Sequence, residues 1–299
     1  MENIKLNSAR AWVLAARPKT LTGAAVPVMI ALAFAFTDAP SAFNYLSASL
    51  CMLFAFIMQI DANFINDYFD FRKGNDDETR LGPERACSMG WVSPGAMVKA
   101  IAMTTLLACA VGLPLIWYGG WEMIIIGMLC VIFCFLYTTH LSYKGLGDVL
   151  VLVFFGIVPV CITYYIQTQT VTPAVFLASI CCGFVIDTLL IVNNYRDIDN
   201  DRRAGKYTLI VRAGKKNGLR LYMLAGLIPV IAGLALAYTG RTAACILPVL
   251  YLAMHNATYK EMKKIDHGRE LNMVLGKTAR NMFVYGLLLS TGIIADYFI

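Results

Sequence analysis

Two stretches of the chain gather oxygen-bearing side chains at the spacing of one helix face. In QIDANFINDYFDFRKGNDDE, the residues Gln59, Asn63, Asn66, Asp67 and Asp70 fall three or four apart, and in IVNNYRDIDNDRRAGK so do Asn193, Asp197 and Asp201. An offset of 127 residues lays Asn66-Asp67-Tyr68-Phe69-Asp70 over Asn193-Asn194-Tyr195-Arg196-Asp197, as two copies of one device. Paired carboxylate clusters among basic residues suit a diphosphate held through Mg2+. The metal takes oxygen ligands and bridges a few carboxylates to substrate phosphates, whereas carboxylates alone would repel a polyanion. The candidate metal ligands are Asn66, Asp70, Asp76, Asn193, Asp197 and Asp201. Lys73, Arg80, Arg85, Arg202, Lys206 and Arg212 are interleaved with them and are candidates to bind and neutralise the diphosphate.

The elements that must hold these residues are membrane helices. Hydrophobic residues make up 59% of the 299 positions and charged ones 15%, against about half and about a quarter in soluble domains. Runs near the roughly 20 residues that cross a bilayer occur at 21–37, 41–65, 96–115, 119–138, 146–166, 171–194, 218–238, 241–256 and 279–298. With the N-terminus in the cytoplasm, 24 of the 25 Lys and Arg residues fall in cytoplasmic segments, and only Arg241 lies outside. The net charge of +6 is thus accounted for by topology, and nucleic acid is not expected as a partner. No cleavable signal peptide is expected, because charges are mixed into the first apolar residues. The nine cysteines form no CxxC pair and read as small apolar fillers.

Four helices separate the two acidic clusters, so both lie on the same side of the membrane. The expectation is one membrane domain over residues 1–299, made of two parallel pseudo-repeats, where many transporters have inverted ones. A transporter moving cations would also place its acids near the midplane, whereas these stand at helix ends. Carboxylates facing lipid are costly, so both clusters should point into the protein or a wet cavity. Asp67 is a candidate further ligand or proton acceptor. Tyr137 and Lys144, beside the loop between the fourth and fifth helices, complete the candidate catalytic set, and Asp61 and Asp187 are expected to pair across helices.

These motifs resemble the UbiA superfamily of intramembrane aromatic prenyltransferases, whose signatures read roughly NDxxDxxxD and DxxxD. Asn66, Asp67 and Asp70 match the first, with Gly74 at its last position and Asp76 as the next acid; Asp197 and Asp201 match the second. The NDYxDxxxGxD form, RLGPER at 80–85, RPKTL at 17–21 and YKGLGDVLV at 143–151 are similar to the 1,4-dihydroxy-2-naphthoate polyprenyltransferase branch. Thr139-His140 and Asp148 depart from that branch, where a Gly-Pro-Pro-like stretch and a Glu are frequent.

The resemblance implies an all-α bundle around a central cavity, in the inner (plasma) membrane and open to the cytoplasm. It implies one Mg2+ on Asn66 and Asp70 and another on Asp197 and Asp201, gripping a polyprenyl diphosphate. It further implies ionisation to an allylic cation, attack by the aromatic acceptor, and loss of CO2 to give a demethylated menaquinone. Phe64, Tyr68, Phe69, Tyr137 and Tyr195 are candidates to line the cavity and face the cation.

Overall fold

The computed structural model describes residues 4–74 and 80–299, and every regular element among them is helical. The main helices among these residues are α1 (Ala9–Asp38), α2 (Tyr45–Lys73), α3 (Pro94–Gly119), α4 (Glu122–Lys144), α5 (Gly147–Thr168), α6 (Pro173–Arg196) and α7 (Lys215–Thr239). They are followed by α8 (Val249–Ile265) and α9 (Leu271–Phe298). All but α8 are long and apolar enough to cross a membrane, which makes eight such helices among the described residues. The eighth expected run, 241–256, falls in two helical pieces, Thr242–Ile246 and Val249–Ile265, meeting at Pro248. Proline lacks the N–H that would continue the ladder, and Lys260, Glu261, Lys263 and Lys264 carry α8 past the apolar run.

α1 begins earlier than its apolar run. Ser8 caps a first segment, Ala9–Ala16, which stops where Arg17 takes a left-handed conformation (φ 52°) before Pro18. A residue preceding proline is pushed out of the helical region, so the chain turns here and resumes as Leu21–Asp38. α2 has 29 residues and ends at Gly74, whose φ of 72° suits a residue without Cβ. At 1.5 Å per residue α2 is about 43 Å long, more than the roughly 30 Å hydrocarbon layer. Its last turns, which hold Asn66, Asp67 and Asp70, can therefore stand at the membrane edge.

The core joins α1, α5, α6, α7 and α9 through Val26, Ile30, Phe34, Cys182, Val185 and Tyr285, among others. Between α5 and α6 the approach is backbone to backbone: a Cβ on Gly156 would stand 2.6 Å from the Ser179 carbonyl oxygen and 2.7 Å from Gly183 Cα. Small residues of this kind let membrane helices pack by van der Waals contact where no hydrophobic force operates between them. Gly156 also lies in a π-helical stretch, Leu152–Ile157, and a second one, Tyr137–Leu141, lies in the last turns of α4 before Ser142–Lys144. Buried Asp61 on α2 pairs across helices as expected, accepting from Thr104 (2.5 Å) and Thr105 (2.8 Å) of α3. α4 leaves Ile125, Met128, Leu129 and Ile132 exposed, an apolar face suited to lipid.

Candidate active site

A cavity of about 1160 Å³ runs between α1, α2, α4, α5 and α6. α2 presents Phe54, Met58, Ala62 and Asn66 to it, and α6 presents Ile186, Leu189, Leu190 and Asn193. Both stripes advance by about one turn, so Asp70 and Asp197, four residues beyond the two asparagines, continue them past the cavity end.

The motif acids meet arginines. Asp70 pairs with Arg85 at 2.7 Å. Asp197 is gripped on both oxygens by buried Arg196, Nε to Oδ1 at 2.8 Å and Nη2 to Oδ2 at 2.5 Å, and the third arm of Arg196 donates to Asn272 Oδ1 at 2.7 Å. Asp201 lies in the short helix Ile198–Arg203 with Lys206 at 3.5 Å, and its Oδ2 is buried without a hydrogen-bond partner. Burial pushes the Asp201 carboxyl up to about 6; Lys206 opposes this, while the charges of Asp197 and Asp70 add to it. The influence of Asp70 on Asp201 places the two motifs within electrostatic reach of each other.

Asn66 Oδ1 accepts a hydrogen bond from the Thr138 hydroxyl. Lys73 crosses from α2 to the end of α4, donating to the Thr139 carbonyl (2.9 Å) with its ammonium 3.9 Å from the Tyr143 ring centroid. Arg212 donates to the Lys144 carbonyl at 2.9 Å and so fixes that turn, while the Lys144 side chain is exposed, as is Arg202. Arg80 Nε donates to Pro83 O at 3.1 Å. Asp76 lies outside the described residues.

Asp67 is placed differently from its neighbours. It is fully buried, and its two oxygens accept the backbone N–H groups of Ala86 and Cys87, both at 2.9 Å. Of the five aromatic candidates, Tyr137 lines the cavity. Phe64 is buried with Tyr68 and Phe69 packed against the same cluster around Ala11 and Ala15, and Tyr195 is buried and donates to Asp266 at 2.6 Å. Phe54, Phe133, Phe154 and Phe155 line the cavity in their place. Asp148 and Asp187 both carry buried oxygens without hydrogen-bond partners; for Asp187 this is so of Oδ1, and no bond to a neighbouring helix is seen there.

Among the described residues no three acidic, His or Cys side chains stand close enough to hold a metal by themselves. The donor set still fits magnesium, which binds through one or two carboxylates plus substrate phosphates and demands no all-protein cage. The orphaned Asp201 Oδ2 is a buried oxygen that such an ion would satisfy. Thr138, Arg196 and Asn272 are site residues that spacing did not single out; Arg196 stood inside the second motif as its signal, and Asn272 had none.

The UbiA prenyltransferase family model matches residues 24–285. The chain belongs to the UbiA prenyltransferase family. Its members transfer prenyl groups, and this chain is an enzyme of that kind. Relatives include the 1,4-dihydroxy-2-naphthoate octaprenyltransferase of Escherichia coli K12, 36% identical over 231 residues, which is 74% of each chain. The protein of the same name from Mycobacterium tuberculosis is 32% identical over 282 residues, 92% of this chain and 94% of its own. Among solved structures, a UbiA homolog from Archaeoglobus fulgidus bound to GPP and Mg2+ superposes with a TM-score of 0.68 at 15% identity, covering 95% of this chain and 99% of that one. That likeness establishes the UbiA fold for the present chain.

Proposed function

We propose that this UbiA-family enzyme transfers a polyprenyl group from its allylic diphosphate to 1,4-dihydroxy-2-naphthoate, with loss of CO2 and diphosphate. One observation carries the reading: an apolar cavity ends at two acidic motifs whose carboxylates are backed by arginines and lysines, as a metal-bound polyanion attached to a hydrocarbon tail requires. The naphthoate acceptor is supported by the names of the relatives.

Asn66 and Asp70 on one side, and Asn193, Asp197 and Asp201 on the other, would hold Mg2+, with Asp76 as a further ligand. When bound, the metal supplies Lewis-acid stabilisation of the departing diphosphate. Lys73, Arg80, Arg85 and Lys206 take up the negative charge that develops as the allylic C–O bond breaks, with Arg202 at the outer edge. The apolar walls keep water from the resulting cation, which would otherwise be quenched as an alcohol, and Tyr137 offers it an aromatic face. The ring carbon bearing the carboxylate attacks and a C–C bond forms. The C–CO2 bond then breaks, its electron pair returns to the ring, and the naphthol is restored. The chain's basic residues favour a site that opens to the cytoplasm from the inner membrane.

The test is an assay of membranes containing the protein, with 1,4-dihydroxy-2-naphthoate and a radiolabelled prenyl diphosphate, with and without Mg2+. A prenylated, decarboxylated naphthol that forms only with the metal is expected. Prenyl transfer to another aromatic acceptor alone would replace the naphthoate assignment and leave the site chemistry intact.

A further inference from the structure

The two halves of the site are joined through one residue that belongs to neither motif. Asn272, in the first turn of α9, accepts from Arg196 Nη1 at 2.7 Å and donates through Nδ2 to the Leu81 carbonyl at 2.8 Å. Arg196 is the arginine that grips Asp197 of the second motif. Leu81 opens the segment Leu81–Cys87, which leads to Arg85 on Asp70 and to the two amides on Asp67 of the first motif. Arg269, one helical turn before Asn272, donates to the Arg80 carbonyl at 3.3 Å and extends the same seam. Gly82 makes the fit possible: a Cβ there would stand 2.8 Å from Arg196 Nη2, and that guanidinium is already held at three corners.

We infer that Asn272 is a positioning residue that sets the distance between the two acidic motifs, by fixing Arg196 with its oxygen and the Leu81–Arg85 strap with its nitrogen. An amide is the side chain that serves both needs, since it carries an acceptor and a donor on one carbon. Arg196 requires an acceptor, and the Leu81 carbonyl requires a donor. Neither bond is made to a motif acid, so Asn272 acts on them through Arg196 and the strap. The inference rests on the proposed metal–diphosphate site. Its consequence is that affinity for a magnesium-bound diphosphate depends on a residue at the start of α9, because a ligand bridging two clusters binds tightly only where their separation is set beforehand.

The experiment uses the full chain in detergent, with Mg2+ and inorganic pyrophosphate as the probe, and reads the half-saturating pyrophosphate concentration from the rise in unfolding temperature. Asn272→Ala, which loses both hydrogen bonds, is expected to raise that concentration about a hundredfold, and Asn272→Asp, which keeps an acceptor for Arg196 and loses the donor to Leu81, about tenfold. Gly82→Ala, which removes no polar group and displaces the Arg196 guanidinium, is expected to weaken binding about tenfold. Affinity within twofold of wild type in all three overturns the inference. If Asn272→Ala does not fold, unchanged affinity in the other two overturns it equally. Wild-type protein that Mg2+ and pyrophosphate do not stabilise overturns the reading of the site, and the inference with it.

Discussion

Asp67 and Asp70 are one turn apart on α2, and replacing Asp67 separates a carboxylate that anchors the fold from one proposed to hold the metal. Asp67 is fully buried, and the Ala86 and Cys87 amides it receives lie on residues that are themselves buried. In Asp67→Ala both amides lose their partner; at about 1–3 kcal/mol for each unsatisfied buried group, the loss is about 2–6 kcal/mol. Asp67→Asn keeps one acceptor oxygen and turns an NH2 group against the second amide, donor to donor, so about half of that loss remains. Because Arg85 immediately precedes Ala86, the strap also shifts Arg85 from Asp70. Activity should then fall together with stability, and by less than tenfold in the asparagine variant. The assay pairs denaturant or thermal unfolding in detergent with prenyl transfer. Asp67→Asn with wild-type stability, unchanged KM and a kcat lower by about a hundredfold or more, the range of a lost general base, would refute the anchoring role and return Asp67 to the chemistry.

Asp70→Ala and Asp197→Ala are each expected to abolish turnover while the protein stays folded in the membrane, and activity retained in both would make these acids structural. The Asp201 carboxyl, raised to about 6 by burial, must lose its proton to bind a metal. The Mg2+ concentration giving half-maximal activity should therefore stay level above about pH 6 and rise about tenfold for each pH unit below it; in Asp201→Asn this slope should vanish. Asp61→Asn should leave both stability and activity near wild type, since the Thr104 and Thr105 hydroxyls can accept from an amide as readily as they donate to a carboxylate. A large loss of kcat in that variant would give Asp61 a part in the reaction.

The helical architecture was legible because its causes are local. An apolar run of about 20 residues becomes a membrane helix wherever it sits, so eight of the nine predicted runs lie almost wholly inside single continuous helices. The break inside 241–256 has an equally local cause in Pro248, which a count of apolar residues does not register. The ends were harder to read. α2 runs on through Asn66, Asp67 and Asp70 to Lys73, because the Asn and Asp side chains at that end find partners in other elements, and an apolar-run criterion stops at the first of them.

Within the site, periodicity identified which face of α2 and α6 holds the acids, and the folding together of distant segments decides what each acid touches. At the offset of 127 residues, Asn66 and Asn193 both line the cavity, Asp67 and Asn194 are both buried, and Asp70 and Asp197 are both clasped by arginine. The arginines come from different places. Arg196 precedes Asp197 directly, whereas Arg85 is brought to Asp70 by the connection after α2. That difference accords with an acid at Asp67, which also lies 3.9 Å from the Arg17 guanidinium, and an amide at its counterpart Asn194. A strap that must deliver an arginine from a distance needs its own anchor, and two adjacent backbone amides are best held by a group with two acceptor oxygens and no donor. A neighbouring residue such as Arg196 is positioned by the helix itself and asks only for a partner on its outer arm, which Asn272 supplies. The acid-plus-arginine arrangement is thus common to both motifs, while the way each arginine is held follows from how far along the chain it must travel.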